Sequence, residues 1–261
     1  MGYLRLTMAI IVSVAHSTGL YSAVASWCVW VFYLLSGYLM TLLCDGTYQG
    51  RWSEFWISRL LRIFPTYWVV MAATTLGLWF WGYPQRFPLL ALPIPHEWLL
   101  LNIQTWWGGF EGPRTIPPAW SLTVELFWWL LISVGALNRR WVLWWMAGGA
   151  ALAVAGAYPL GPLWFSLWGG MLPFALGSWL YQNGLVIPRD GRWSSVAGAM
   201  SYPIYVSHYG IGAVASVILS IPLGWPLFFA ALAPTLALSW LLLVAVERPI
   251  ARYRARFRHQ R

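Results

Sequence analysis

The chain of 261 residues is 60% hydrophobic and only 9% charged, and its mean hydropathy is positive. Its formal net charge of +9 is typical of nucleic-acid-binding proteins, but in so apolar a chain it indicates loops that face an anionic membrane surface, and we expect no nucleic-acid partner. The sequence has no CxxC, HExxH, Walker or GxGxxG motif, so we expect neither a metal site nor a dinucleotide site.

Apolar segments of about 20 residues recur along the chain, which is the length that a helix needs to cross a hydrocarbon core of about 30 Å. We therefore predict an all-α, polytopic membrane helix bundle that forms a single transmembrane domain over residues 1–261 in a lipid bilayer. The eight predicted spans are residues 3–22, 26–44, 63–82, 119–137, 141–158, 162–181, 202–221 and 225–246.

The first predicted span has one titratable side chain near its middle, His16. An imidazole within a membrane suggests a general base because it changes charge near neutral pH, although a histidine that packs against a neighbouring helix carbonyl fits as well. Residues 1–25 also resemble a secretory signal peptide, with Arg5, an apolar core and Ala23-Val24-Ala25. Cleavage after these residues would remove His16.

Residues 51–63, which follow the second span, have the pattern of an amphipathic cytoplasmic helix. Its Arg59 and Arg62 are three residues apart and therefore share one helix face. Such a pair is typical of the positively charged flank of a span, but two guanidinium groups also bind phosphate well. The pair is thus either a membrane flank or a clamp for a phosphate-bearing cytosolic ligand.

The distribution of arginine predicts the orientation of the spans. If the N-terminus is cytoplasmic, fourteen of the sixteen arginines lie inside, and only Arg86 and Arg114 lie outside. This asymmetry predicts an even number of spans with both termini in the cytoplasm. Residues 83–118 then form a long external connection, and residues 251–261 form a basic cytoplasmic tail.

Glu125 is the only acidic residue inside any predicted span. A charge at the centre of a membrane helix costs about 2.5–3.5 kcal/mol on insertion scales, which makes such a residue a functional hypothesis by default. Glu125 lies about 9 Å below the outer end of its span, and His16 lies about 8 Å below the outer end of the first. The matching depths predict that His16 and Glu125 contact each other, as a catalytic pair or as a structural hydrogen bond.

Two short motifs flank the last two predicted spans. Ser201-Tyr202-Pro203 opens the seventh span and leads to His208, which we expect either to line a tunnel or to pack in the bundle. Glu247-Arg248-Pro249 closes the eighth span, where Pro249 stops the helix and Glu247 can pair with an arginine close by.

Six motifs follow one another along the chain. They are Leu4-Arg5 followed by His16; Phe32 to Tyr38, with Ser36-Gly37; Phe55 to Tyr67, with Arg59 and Arg62; Trp120-Ser121-Leu122 with Glu125; Ser201 to His208; and Glu247-Arg248-Pro249. In this order, and on these membrane sides, they resemble the acyltransferase-3 family of integral membrane O-acyltransferases. The family usually has ten core spans, two more than predicted here, and commonly has an Asp before the first of the two clustered arginines, which this chain lacks.

The resemblance implies transfer of an acyl group, usually acetyl, from cytosolic acyl-CoA to a hydroxyl of a glycan or related acceptor, in the inner (cytoplasmic) membrane of a bacterium. It implies His16 as the catalytic histidine and Glu125 as its partner. The implied CoA contacts are Arg59, Arg62, Arg5 and Arg248, and the implied substrate-lining residues are Ser36, Trp120, Ser121, Tyr205 and His208.

Other functions fit the same residues. A transporter or flippase would use His16 and Glu125 as a proton relay, although no internal repeat is evident. A non-catalytic scaffold would use them only to hold helices together. Within the enzyme hypothesis, direct attack with His16 as general base stands beside a covalent acyl-histidine intermediate.

Overall fold

The structure, a computed structural model, describes residues 1–81, 90, 92–93, 95–101, 114–156, 163–188 and 190–257. Within these ranges the chain consists of helices, helical turns and irregular connections, without β-strand. The all-α prediction is thereby confirmed. Most of the predicted external connection 83–118 and the last four residues of the predicted tail lie outside the described residues.

The α-helices of the described part are α1 (Gly2–Thr18), α2 (Ser22–Leu42), α3 (Trp52–Trp81), α4 (Trp120–Ser133), α5 (Val142–Val154), α6 (Met171–Gln182), α7 (Arg192–Leu219), α8 (Trp225–Leu242) and α9 (Arg248–Ala255). Both α2 and α8 continue into a π-helical turn, Leu43–Thr47 after α2 and Leu243–Glu247 after α8.

Four helical segments of the described chain are long and apolar enough to cross a membrane: Ser22–Thr47, Trp52–Phe80, Arg192–Leu219 and Trp225–Ala255. The chain is therefore a membrane protein. The other four predicted spans correspond to helices of 12 to 17 residues, namely α1, α4, α5 and α6. The count of eight spans and the cytoplasmic position of both termini remain predictions.

Helix α4 starts inside the bundle, because the chain is already buried before it becomes helical, and it ends at Ser133, four residues before the predicted end of the span. Residues 114–124 are buried, and a 3₁₀ turn at Pro117–Ala119 precedes the helix. The Thr123 hydroxyl donates to the Leu100 carbonyl at 2.6 Å, which ties the start of α4 to the incoming connection. Depth along α4 therefore cannot be measured from a membrane surface at its first residue.

The predicted amphipathic helix at 51–63 leads into the predicted span at 63–82 without a break, and the cytoplasmic position of 51–63 remains a prediction. Helix α3 runs without interruption through both segments and contains Pro65. The proline removes one main-chain hydrogen bond, but α3 is held by packing against α7 and α9. Arg59 and Arg62 consequently lie inside one long helix, rather than on a separate surface helix.

Helix α1 packs against α2, α7 and α8, and α2 packs against α4 and α6. Two glycines allow the close approach of α2 and α6: a Cβ atom on Gly177 would lie 2.0 Å from the Leu34 carbonyl oxygen, and one on Gly37 would lie 2.4 Å from that of Phe174. Helix α2 therefore packs against α1, α4 and α6 and connects these helices in the bundle.

Asp190 fastens the start of α1 to the start of α7. Its Oδ1 atom accepts hydrogen bonds from the Met1 ammonium at 2.7 Å, the Gly2 amide at 3.1 Å and the Ser194 hydroxyl at 2.6 Å. These hydrogen bonds lower the pKa of the Asp190 carboxyl to about 2, and the bond from the ammonium group contributes most to this shift. The two helices that carry His16 and His208 are thus joined at this end.

Candidate active site

A cavity of about 260 Å³ lies among α1, α2, α3, α4 and α7. We call it the arginine cavity, because Arg5, Arg59 and Arg62 line it together with a single carboxylate, Glu125. The structure therefore brings together the three predicted CoA-contacting arginines other than Arg248. An excess of guanidinium groups in one cavity suits an anionic ligand.

Arg62 is held by residues from the far end of the chain. It forms an ion pair with Glu247, whose other carboxylate oxygen accepts a hydrogen bond from Thr66 at 2.6 Å. Its guanidinium group also lies 5.5 Å from the ring centre of Tyr202. Glu247 does pair with an arginine, but the partner is not one of the neighbouring arginines: it lies 185 residues away in sequence.

Arg254 is a functional candidate that the sequence analysis missed. It is buried, and its Nε atom lies 3.3 Å from the Ser58 hydroxyl, which the Arg59 guanidinium reaches at 3.1 Å. The predicted surface tail therefore begins as helix α9, which packs onto α3. Arg248, the predicted contact, is exposed and lies over the Trp240 ring at 5.3 Å.

Glu125 lies against the Ser36 hydroxyl and within electrostatic range of Arg5 and Arg62. The same Ser36 oxygen accepts a hydrogen bond from the Trp129 indole at 2.8 Å, which fixes its position beside the carboxylate. The positive charges of arginines in the cavity thus offset the negative charge that a Glu125 carboxylate carries. Ser36 thus lines this cavity, and its predicted contact with substrate remains a prediction.

A second, narrower cavity of about 50 Å³ shares Arg5, Phe32, Glu125 and Tyr202 with the arginine cavity. Ser121 and Tyr205 also line it, and their hydroxyl groups are 2.7 Å apart. The Tyr205 ring in turn lies 6.2 Å from that of His208. The narrow cavity therefore reaches from Arg5 to Tyr205, whose ring is a neighbour of His208.

His16 and His208 form a hydrogen-bonded pair, which we call the imidazole pair. Nδ1 of His16 lies 2.8 Å from Nε2 of His208, and the two rings are parallel to within 3°. His208 is 1% exposed, whereas the His16 side chain is exposed and meets the Tyr209 ring edge-on at 5.5 Å. His208 thus contacts the predicted catalytic histidine directly, rather than only lining a path.

The predicted contact between His16 and Glu125 is wrong. The hydrogen-bond partner of His16 is His208, and Glu125 lies at the level of Arg5. Arg5 and His16 are eleven residues apart on α1, or about 16 Å along the helix axis. The matching depths were misleading because α4 starts inside the bundle.

Trp120 has a packing role in the structure. Its ring is buried and meets the rings of Phe165 at 4.9 Å and Trp164 at 5.9 Å in edge-to-face geometry. It supports the start of α4, next to Ser121. Its predicted contact with substrate remains a prediction.

A family model described as an acyltransferase domain, acyltransferase-3, matches residues 1–195. The matched range includes His16, Arg59, Arg62 and Glu125, while His208 and Glu247 lie beyond it. No curated protein and no solved structure matches the chain. Because the matched range covers most of its length, the chain belongs to the acyltransferase-3 family of membrane acyltransferases.

Proposed function

We propose that the protein is an O-acyltransferase of a bacterial inner membrane. It moves an acyl group, acetyl in the simplest case, from cytosolic acyl-CoA to a hydroxyl of a carbohydrate or related cell-surface acceptor. The observation that carries this proposal is that one helix, α1, contributes both Arg5 to the arginine cavity and His16 to the imidazole pair. Membership of the acyltransferase-3 family supports it.

The donor binds with its phosphates at the arginine cavity. Arg5, Arg59 and Arg62 line this cavity, and Arg254 reaches the same Ser58 hydroxyl as Arg59. Guanidinium groups bind phosphate through paired, charge-assisted hydrogen bonds. The positive charge of the cavity therefore favours a polyanionic donor over a neutral one.

The pantetheine arm extends from the arginine cavity into the narrow cavity. The arm must span the distance of about 16 Å that separates Arg5 from His16 along α1. Phe32, Tyr33 and Leu122 give this route apolar walls, and the Ser121 and Tyr205 hydroxyls offer polar contacts to its amide groups. The cavity is narrow, so the arm enters as an extended chain.

At the end of this route His16 acts as general base. It removes the proton of the acceptor hydroxyl, and the oxygen attacks the thioester carbonyl carbon. The carbon–sulfur bond breaks, and the proton passes from His16 to the departing CoA thiolate. The exposed position of the His16 side chain supports access for an acceptor that does not share the donor cavity.

Glu125 serves the donor rather than the base. Its neighbours are Ser36 and the arginines of the cavity, so its carboxylate holds these guanidinium groups in place when no donor is bound. This role differs from that of a carboxylate that orients a catalytic histidine. Replacing Glu125 is therefore expected to act on donor binding.

The experiment compares the wild type with His16→Ala and Glu125→Gln, with His96→Ala as a control for the loss of an imidazole. Mass spectrometry first identifies the glycan that is acetylated only in cells carrying the gene. Radiolabelled acetyl-CoA and that glycan then give kcat and KM in proteoliposomes. We expect His16→Ala to lower kcat by about 100-fold or more. Glu125→Gln mainly raises the KM for acetyl-CoA, and His96→Ala changes neither constant.

Wild-type turnover by His16→Ala would overturn the catalytic assignment. Proton or substrate flux across the vesicle membrane without release of free CoA would favour the transporter instead.

A further inference from the structure

We infer that His208 is a positioning residue that sets the tautomer of His16. This inference rests on the proposed function, in which His16 is the general base. The tautomer that His208 sets decides which nitrogen of His16 can take a proton. It is carried by two hydrogen bonds of the buried His208 ring, one to a main-chain carbonyl and one to His16.

The first hydrogen bond assigns the proton on His208. Its Nδ1 atom lies 3.1 Å from the Ile204 carbonyl oxygen, one helical turn earlier on α7. A carbonyl oxygen only accepts, so Nδ1 of His208 must carry the hydrogen. In the neutral ring the other nitrogen, Nε2, then has a free lone pair and can only accept.

The second hydrogen bond transfers this constraint to His16. Nε2 of His208 lies 2.8 Å from Nδ1 of His16, and since Nε2 accepts, Nδ1 of His16 must donate. Neutral His16 therefore carries its hydrogen on Nδ1 and leaves Nε2 unprotonated. Among the described residues, Nε2 of His16 has no hydrogen-bond partner, so the basic nitrogen is free for an acceptor hydroxyl.

The same contact supports His16 after it has taken a proton. The imidazolium still donates through Nδ1 to the neutral His208, and a hydrogen bond from a charged donor is the stronger kind. The parallel rings and the edge of Tyr209 hold the imidazole in one orientation. His208 thus performs, as a neutral acceptor, the orienting task that a carboxylate performs in a serine protease triad.

The test replaces His208 with Leu, which offers no acceptor, and with Gln, which keeps an acceptor on a side chain of similar length. We expect His208→Leu to lower kcat about 100-fold while the KM for acetyl-CoA stays within about twofold, as for a group that acts in the transition state only. We expect the kcat of His208→Gln to be at least about tenfold higher than the kcat of His208→Leu. A residue with a merely structural role would change KM or yield along with kcat and would show no rescue by Gln.

A direct measurement of the tautomer removes the dependence on activity. The chain has four histidines, so ¹⁵N-histidine labelling of a protein with His96→Gln and His259→Gln leaves two imidazoles to observe. We expect His16 with a protonated Nδ1 and an unprotonated Nε2 in the wild-type background at neutral pH. In His208→Leu we expect the other tautomer to gain population.

A wild-type His16 protonated at Nε2 would overturn the inference, as would a His208→Leu variant with unchanged kcat. If the tautomer is as stated but His16→Ala is fully active, the proposed catalytic role fails while the role of His208 in setting the tautomer stands. The two failures are therefore distinguishable.

Discussion

The arginine cavity and the imidazole pair use polar groups on the same helix in opposite ways. At the level of Arg5, guanidinium groups from α1 and α3 surround a cavity and outnumber the nearby carboxylates. About 16 Å further along α1, two imidazole rings bond to each other, and one of them also bonds to a main-chain carbonyl. The first arrangement suits the binding of a charged ligand, and the second suits the transfer of a proton.

This division follows from the cost of charge in a membrane bundle. Buried guanidinium groups persist where a carboxylate pairs with them, as Glu247, itself held by the Thr66 hydroxyl, does with Arg62. Two imidazoles that hydrogen-bond to each other satisfy their polar groups at lower cost, further along α1. Donor affinity and chemical rate should therefore respond to different residues.

The largest expected effect comes from removing the carboxylate behind Arg62. We expect Glu247→Ala to lower the free energy of unfolding by about 3 kcal/mol, because a mostly buried guanidinium loses its ion pair. Denaturant unfolding in detergent measures this loss. Glu54→Ala, whose carboxylate bonds the exposed Ser53, is the control and should cost less than about 0.5 kcal/mol. Equal midpoints for Glu247→Ala and the wild type would show that the ion pair does not hold the cavity together.

A smaller effect separates donor binding from chemistry. We expect Arg59→Gln to raise the KM for acetyl-CoA about tenfold, with kcat nearly unchanged, since it removes one charge-assisted contact. Steady-state kinetics with acetyl-CoA and with acetyl-pantetheine test this, because the shorter donor lacks the nucleotide phosphates and should show equal KM values for both proteins. Arg248→Gln is the matched control, since Arg248 stacks on Trp240 outside the cavity. An equal rise in KM for Arg248→Gln would contradict the assignment of the cavity.

The smallest effect concerns the hydroxyl pair that lies between the two clusters. Ser121 and Tyr205 share a hydrogen bond of 2.7 Å, so we expect Ser121→Ala to cost about 1 kcal/mol of unfolding free energy. A double-mutant cycle with Tyr205→Phe should reveal coupling between the two residues. If the two losses simply add, the hydroxyls do not interact in the folded protein.

Much of the candidate site was predictable, because membrane spans make polar residues conspicuous. His16, Glu125 and the Arg59–Arg62 pair stood out against apolar surroundings, and three of the predicted arginines do line one cavity. Arg254 was missed because a run of basic residues looks the same in a solvated tail and in a docked helix. The burial of Arg254 against Ser58 exists only once α9 has packed on α3.

The amino-acid sequence alone determined the helical class, the membrane setting and the residue types available for chemistry, because hydropathy and charge act locally along the chain. The tertiary structure decided which of these residues meet. His16 bonds His208, 192 residues away, because α1 packs on α7, and Glu125 joins the arginines because α4 starts inside the bundle. Such partnerships depend on the depth and rotation of packed helices, which no local pattern specifies.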